Sequence, residues 1–404
     1  MRLRQVPAKR LLLLVFRLVI GPRLVPWTQR ARLGSRDRAP GRLRSASFAP
    51  RDGARCLPGV ALSREFDLVV FGATGFTGRL TIAELCGYEP PGGLKLAIAG
   101  RSEARLKDVA AALGRDDIGV IVSDVADPAS LAALARRTVA MVTAVGPYAL
   151  YGRPLVEACI VEKTHCADLT GEPNFVVGLM AECHDRAEQA GVKIVSCCGF
   201  DSIPADAGAW FTASQLPAGV PKTVRAYMEA SGQPSGGTWA SIVEGLASGQ
   251  PKLPTPRLEG ERRTDRLKAT RHTAPGGGMA VPLPIIDPWI VRRSSRADVA
   301  VYGHDFQYGH FAVVKPLLGL KIGAIFGGAA LAAQIPAPRP WLKSLRPSGA
   351  GPDEATRSKS WFRIDFHGEG GGRTVRCRVS GGDPGYTETS RMLAACGRML
   401  ANAE

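Results

Sequence analysis

The sequence is poor in the patterns that most often carry metal-dependent or nucleophilic chemistry. Only 6 of its 404 residues are histidine, and its 9 cysteines include no C-x-x-C pair. No H-E-x-x-H motif or Cys/His cluster with ligand spacing occurs, so we predict that the protein holds no metal. The sequence also has no Tyr-x-x-x-Lys pair, which argues against the catalytic tyrosine of short-chain dehydrogenases. It has no nucleophile elbow, which argues against a Ser-His-Asp triad.

Positive charge is concentrated at the start of the chain. Of the net charge of +16, +12 falls on residues 1–63, which contain 14 lysines and arginines and two acids. Because the rest of the chain is nearly balanced, we predict no nucleic-acid partner. An Arg-rich, acid-poor leader broken by Pro, Gly and Ser is typical of an organelle transit peptide, and a mitochondrial one fits best.

Other interpretations of the leader stay open. A secretory signal would use the apolar run "LLLLVFRLVI", but Arg17 interrupts this run and no small-x-small cleavage site follows promptly. A disordered tail, a wrongly assigned start codon and a plastid address are further alternatives. So is a location on a lipid droplet or another membrane surface.

From residue 66 the sequence alternates between apolar strand-like runs and helix-period stretches. This alternation predicts an α/β fold with a parallel sheet, because strands buried on both faces need helical crossovers. We therefore predict a Rossmann domain over residues 65–200. Its five strand-like runs are "FDLVVFG", "LKLAIAG", "IGVIVSD", "VAMVTAVG" and "VKIVSCCG".

After about residue 200 the rhythm changes to Pro- and Gly-rich connections and short alternating segments. This pattern predicts a second, α+β domain over residues 201–380, built on an antiparallel sheet, with a shortened return segment at 381–404. Residues 316–335 are apolar apart from Lys321 and Gln334. We interpret them as a buried or interfacial helix rather than a membrane span, although a peripheral contact with a membrane remains an alternative.

The stretch "GATGFTG" follows a predicted strand and opens a predicted helix, which is the context of a dinucleotide-binding turn. Gly72 permits the tight turn, Gly75 lets the backbone approach the diphosphate, and Gly78 lets the helix pack on the strand. The residues between them, and hence also candidates for cofactor contact, are Ala73, Thr74, Phe76 and Thr77.

The end of the second strand favours NADP(H) over NAD. An acid there would bind the ribose hydroxyls of NAD and repel a 2′-phosphate, whereas this chain has Gly100, Arg101 and Ser102. In an alternative interpretation Arg101 merely begins a solvated helix together with Arg105.

Two further strand ends complete the predicted cofactor site. Asp124 follows the third strand, at the adenine edge of the crevice, and Gly146 and Pro147 follow the fourth, beside the nicotinamide ribose.

Candidate proton donors lie in two clusters at later strand ends. "ADLTGEP" contains Asp168 and Glu172, and "CCGFDSIPAD" contains Asp201 and Ser202. Both clusters should face the nucleotide crevice, where ligands of open α/β sheets bind. Asp201 could equally cap the helix that begins near residue 203.

Together these motifs resemble the saccharopine dehydrogenase-like oxidoreductase family, and within it the bacterial trans-acting enoyl reductases. The segments that carry the resemblance are "GATGFTG", "LAIAGRS", "ADLTGE", "GFDSIPAD", "SGGTWAS" and "GDPGYTETS". The resemblance implies an NADP-binding Rossmann domain with an inserted α+β domain. In the bacterial relatives it implies reduction of an enoyl group on a polyketide-derived lipid, and in animal members association with membranes or lipid droplets. It supplies no catalytic residue.

Three functions follow as alternatives. The first is an NADPH-dependent reductase that acts on a double bond of an apolar or lipid substrate. A strand-end acid or water would then supply the proton to the substrate. The second is a saccharopine-type amino-acid oxidoreductase, for which "RLEGERRTDRLKATRH" could bind carboxylates. The third is a non-catalytic nucleotide-binding protein on lipid surfaces. The sequence also leaves open whether the protein forms a homodimer.

Relatives continue beyond "SRMLAACG" with a segment that returns to the nucleotide domain. The resemblance therefore implies incomplete packing of helices on the Rossmann sheet in this chain.

Overall fold

The computed structural model describes residues 4–5, 64–88, 93–200, 202–232, 267, 269–283, 285–314 and 351–403. The predicted leader, apart from residues 4–5, and the apolar segment 316–335 lie outside this part of the chain. Among the described residues, none of the helices is both long and apolar enough to span a membrane.

The described residues form thirteen strands in two sheets. Their bounds are β1 Arg4–Gln5, β2 Phe66–Phe71, β3 Leu96–Gly100, β4 Gly119–Val122, β5 Thr138–Thr143, β6 His165–Asp168, β7 Ile194–Val195, β8 Lys222–Ser231, β9 His272–Thr273, β10 Met279–Pro282, β11 Phe306–Val314, β12 Trp361–Gly370 and β13 Arg373–Gly381.

Ten helices are described beside these strands. They are α1 Phe76–Tyr88, α2 Glu103–Leu113, α3 Pro128–Arg136, α4 Tyr148–Val161, α5 Pro173–Ala190, α6 Ile203–Ser214, α7 Asp287–Ala297, α8 Val299–Tyr302, α9 Glu354–Lys359 and α10 Thr387–Ala401.

The first sheet has the strand order of a Rossmann fold. Its six strands are all parallel and lie in the order β4-β3-β2-β5-β6-β7. The order reverses between β2 and β5, and ligands of such sheets bind in the crevice outside the strand ends at this switch point. The predicted fold class, a Rossmann domain with a second α+β domain, is confirmed.

Apolar runs build the central strands of this sheet, as the alternation predicted. In β2 the residues from Leu68 to Val70 have no exposed surface, and in β3 every side chain is buried. The predicted strand "VKIVSCCG" is shorter than expected, because only Ile194–Val195 pairs in the sheet. The residues after β7 turn away to form the loop that leads to α6.

The second sheet is mixed, so the predicted antiparallel sheet is wrong in part. Its order is β1-β13-β12-β8-β11-β10-β9, and β8 pairs with β11 in parallel. The physical reason is that α7 and α8 lie between β8 and β11 in the chain and allow a crossover, whereas β12 and β13 are joined by a tight hairpin and pair antiparallel. β1 also pairs in parallel, with β13.

One face of the second sheet is covered by α6. Phe362, Ile364 and Phe366 alternate along β12 and bury against this helix in one cluster. Gly208 of α6 makes the contact close, since a Cβ built there would lie 2.1 Å from the ring of Phe366.

Helix α10 returns from the second sheet to the Rossmann sheet. Leu393 and Leu400 of α10 share a core cluster with Leu68 and Val142. A Cβ built on Gly397 would lie 2.7 Å from Val142 Cγ1, so the helix backbone approaches the sheet closely. The described chain therefore places α10 on the Rossmann domain, to which the resemblance implied that a later segment returns.

Candidate functional site

The glycine turn between β2 and α1 leaves no room for side chains. Gly72 has φ of +85°, a left-handed conformation that favours glycine. A Cβ on Gly75 would lie 3.2 Å from the carbonyl oxygen of Gly72, and one on Gly78 only 2.2 Å from it. The positive φ of Gly72 and the close backbone contact at Gly78 agree with the tight turn and the helix packing that the sequence predicted. The approach of Gly75 to a diphosphate stays a prediction, for which a bare backbone of this kind is suited.

Helix α1 directs its N-terminus out of this turn. It begins at Phe76, and its first turn contains no acidic residue. The unpaired N–H groups and the dipole of a helix N-terminus favour an anion there. Ala73 is buried behind the turn, whereas Thr74 and Thr77 are half-buried. The predicted residues of the motif therefore lie together at one anion-binding position.

Two arginines, Arg101 and Arg105, follow the end of β3, where the sequence predicted a contact with the 2′-phosphate. Arg101 is exposed, and Ser102 Oγ caps α2 by accepting from the Arg105 N–H at 3.4 Å. The Arg105 guanidinium reaches back to the turn, where Nη2 donates to the Thr74 carbonyl oxygen over a long 3.5 Å. The sequence analysis names Arg105 only in the alternative interpretation, as part of a solvated helix. Arg105 lies in the first turn of α2, four residues after Arg101. This spacing is the signal from which a contact of Arg105 with the cofactor could have been predicted.

Replacement of Arg101 by glutamate tests this cation pair. We expect Arg101→Glu to weaken NADPH binding by about 10- to 100-fold and to leave NADH binding nearly unchanged, because only NADPH carries the 2′-phosphate. Titration of both nucleotides by nicotinamide fluorescence measures the effect. Lys107→Glu, the same charge change in α2, is the matched control. Equal weakening of both nucleotides by Arg101→Glu would contradict the assignment.

The end of β4 carries Asp124, which the sequence predicted at the adenine edge of the crevice. The Asp124 carboxylate accepts from the Ala126 N–H at 3.0 Å, so it shapes its own turn. Val122, just before it, is 54% exposed, whereas a valine in a strand is normally interpreted as core.

The end of β5 carries the predicted nicotinamide-side residues. Gly146 is exposed, Pro147 is half-buried, and the peptide bond between them is cis. Helix α4 begins directly afterwards. Its first two N–H groups, from Tyr148 and Ala149, donate to the two carboxylate oxygens of Glu172 at 3.0 and 2.9 Å. Glu172 thus caps α4 and holds the Gly146–Pro147 turn in place.

Asp168, the other candidate of the first cluster, is a buried anchor at the end of β6. Its Oδ1 accepts from the N–H groups of Thr170 and Cys197 at 2.9 and 3.3 Å, and its Oδ2 accepts from Ser196 Oγ at 2.8 Å. Burial raises its pKa to about 6, and the hydrogen bonds oppose the shift. These contacts tie β6 to the loop after β7.

Only part of the second cluster, "CCGFDSIPAD", can be located in the structure. Asp201 lies outside the described residues. Ser202 is buried at the start of α6, where its Oγ donates to Asp287 Oδ1 at 3.4 Å. Asp287 Oδ2 lies 3.2 Å from Nδ1 of His310, which is also buried. Burial raises the pKa of Asp287, while His310 and Ser202 lower it. Ser202 therefore belongs to a buried polar network of the second domain that sequence reasoning did not find.

The candidate residues thus divide into two groups. The glycine turn and the ends of β3, β4 and β5 lie along the same edge of the parallel sheet, so the prediction that they share one cofactor remains a prediction. Asp168, Glu172 and Ser202 are each occupied by hydrogen bonds that fix the backbone or another buried group. Among the described residues, no group of three or more His, Cys, Asp or Glu side chains could hold a metal ion.

Comparisons with known proteins agree with this geometry. Residues 68–195 match the family model described as the saccharopine dehydrogenase NADP binding domain. A protein of Mycobacterium tuberculosis named as a trans-acting enoyl reductase is 34% identical over 84% of this chain and 90% of its own length. A saccharopine dehydrogenase-like oxidoreductase of Rattus norvegicus is 30% identical over 81% of this chain and 86% of its own.

A plant relative matches over a shorter range. A saccharopine dehydrogenase-like oxidoreductase of Arabidopsis thaliana, whose name places it in the mitochondrion, is 34% identical over 57% of this chain and 55% of its own. The extent of the bacterial and rat matches shows the family. The chain therefore belongs to the saccharopine dehydrogenase-like oxidoreductases, and its Rossmann domain binds NADP(H).

Proposed function

We propose that the protein is an NADPH-dependent reductase that saturates a double bond of an apolar, lipid- or polyketide-derived substrate. The observation that carries this proposal is the apolar surface beside the end of β5. Leu150 and Tyr151, in the first turn of α4, are 59% and 38% exposed. They directly follow the turn at Gly146 and Pro147. An apolar substrate bound beside this turn would remove them from water, whereas a charged substrate would leave them exposed to solvent.

The charged side chains nearby support the same substrate class. The arginines of α4 and α5 are already paired, Arg153 with Glu182 and Arg186 with Glu157. A saccharopine-type substrate has several carboxylates and an amino group, and it would need unpaired cations to bind them. The described part of the crevice offers it none on these two helices.

The chemistry is divided between cofactor and chain. Bound NADPH supplies the hydride. The glycine turn and the α1 N-terminus hold the diphosphate, and Glu172 fixes the turn beside the nicotinamide by capping α4. We assign the proton to water, because Asp168 is buried and Glu172 accepts two backbone hydrogen bonds. Neither carboxyl group is poised to protonate a substrate.

The relatives support the proposal in two respects. The name of the bacterial relative carries an enoyl reductase activity, and the Arg-rich leader agrees with the mitochondrial location in the plant relative's name. On these grounds we place the reductase in the mitochondrion.

Turnover of a substrate panel tests the proposed function. Protein and NADPH are mixed with long-chain and short-chain trans-2-enoyl thioesters, and saccharopine is offered with NADP⁺ in parallel. We expect nicotinamide oxidation with the enoyl substrates, faster with the longer chain. Replacement of Leu150 by aspartate should raise KM for the long chain more than for the short one. Turnover of saccharopine alone would favour the amino-acid oxidoreductase, and NADPH binding without any turnover would favour the non-catalytic protein.

A further inference from the structure

Phe76, the first residue of α1, is enclosed by residues from the C-terminal part of the chain. Its ring lies 5.0 Å from the ring of Tyr386 at an interplanar angle of 85°. The guanidinium carbon of Arg357 lies 5.3 Å from the centre of the Phe76 ring. A Cβ on Gly351 would come within 2.5 Å of the same ring. Residues 351–357 therefore lie directly against the glycine turn.

Arg357 has an unsatisfied hydrogen-bond donor where it lies. Its Nη1 donates to the Pro352 carbonyl oxygen at 2.9 Å, and its Nε is buried with no hydrogen-bond partner among the described residues. Asp353 in the same segment uses Oδ1 to accept from the Thr356 N–H and so caps α9; this hydrogen bond, and less strongly the charge of Arg357, lower the pKa of the Asp353 carboxyl. Because Asp353 is exposed, water screens its attraction for Arg357. A guanidinium with an unsatisfied donor beside a helix N-terminus favours an anion there.

We propose that Arg357 binds the diphosphate of NADP(H) from outside the Rossmann sheet, together with the N–H groups of α1. Arginine suits this role because its planar fork donates two parallel hydrogen bonds to phosphate oxygens. The cofactor then joins residues 351–357 to the glycine turn. The inference rests on NADP(H) binding and is independent of the substrate that is reduced.

A second contact joins the C-terminal part of the chain to the first turn of α1. Ser390 Oγ of α10 donates to the carbonyl oxygen of Thr77, one residue after Phe76, at 3.3 Å. The first turn of α1 thus contacts the C-terminal part of the chain through Thr77 as well as through Phe76. Its N–H groups stay available to the cofactor, because the contact uses a carbonyl oxygen.

Nucleotide affinity tests the proposal without any substrate. Binding of NADPH and of adenosine 2′-monophosphate, which has no diphosphate, is measured for the whole chain and for Arg357→Gln. We expect a loss of about 10- to 100-fold for NADPH, typical of charge-assisted contacts. Adenosine 2′-monophosphate should bind within about twofold of the unchanged protein. The NADPH affinity of the variant should also depend less steeply on salt, since one cation contact is gone.

Two further variants separate charge from packing. Arg357→Met keeps an apolar stem on Phe76 and removes the charge, so it should lose as much NADPH affinity as Arg357→Gln. Arg398→Gln removes the arginine that lies 5.2 Å over Tyr88 at the far end of α1 and should leave NADPH affinity unchanged. The proposal is overturned if Arg357→Met binds NADPH normally, or if both ligands weaken equally.

Discussion

Replacement of Gly78 by alanine is expected to abolish NADPH binding and to destabilise the Rossmann domain by about 3 kcal/mol or more. The added Cβ would lie 2.2 Å from the Gly72 carbonyl oxygen and 2.8 Å from the Ala73 Cα. Both are backbone atoms, so neither can rotate away, and α1 must move off β2. Nucleotide titration and urea unfolding of the same preparation measure the two losses.

Gly87→Ala, in the same helix, is the matched control for this change. No atom lies within 4 Å of a Cβ built there, and the residue is exposed. Because alanine favours a helix over glycine, we expect Gly87→Ala to stabilise the protein by about 0.5–1 kcal/mol and to leave nucleotide affinity intact. Tight NADPH binding by Gly78→Ala would show that the turn is not the cradle.

The second large effect is a pH dependence that comes from Asp206 in α6. Asp206 is buried, its Oδ2 accepts from Ser294 Oγ at 2.8 Å, and its Oδ1 has no partner among the described residues. Burial raises its pKa to about 7 from an ordinary 3.8. The hydrogen bond from Ser294 and the charge of Arg293 lower the pKa, and the charge of Asp287 raises it further.

The sign of the effect follows from linkage. A carboxyl group with a raised pKa in the folded state stabilises the protein below its unfolded pKa, and this contribution is lost as pH rises through the folded pKa. The shift of about 3 units corresponds to about 4 kcal/mol between pH ~4 and pH ~7. Asn does not titrate. We therefore expect Asp206→Asn to gain about 3–4 kcal/mol of unfolding free energy relative to the unchanged protein between pH ~4 and pH ~8.

Urea unfolding of both proteins at the two pH values measures this difference, since titrating groups that do not interact with Asp206 contribute equally to both proteins. Asp185→Asn, an exposed change in α5, controls for the loss of a carboxylate. A stability difference between Asp206→Asn and the unchanged protein that stays constant from acid to neutral pH would disprove the role of Asp206.

The Rossmann half and its cofactor could be predicted from sequence because their determinants are local. Gly72 and Gly78 act within one turn, and the buried strands β2 and β3 are continuous apolar runs. Arg101 follows its strand directly. In each case the residues that decide the structure are close together in the chain, so a pattern along the sequence is sufficient.

The roles of the acidic candidates could not be predicted in the same way. The sequence presents Glu172 as a candidate proton donor, but in the structure it caps a helix that begins 24 residues earlier in the chain. Ser202 meets Asp287 across a separation of 85 residues. Such contacts depend on how the helices pack, and the sequence pattern around each residue is the same with or without them. The parallel pairing of β8 with β11 also escaped prediction, because it depends on the path of the intervening chain.

The position of α10 has a consequence for synthesis. Leu68 and Leu393 come from opposite ends of the described chain, yet they share one core cluster. On the ribosome, the strands from β2 to β7 emerge long before α10 exists to cover them. Contacts so distant in sequence slow folding and leave apolar surface exposed meanwhile. The nascent nucleotide-binding half must therefore stay protected from aggregation until α10 has been translated.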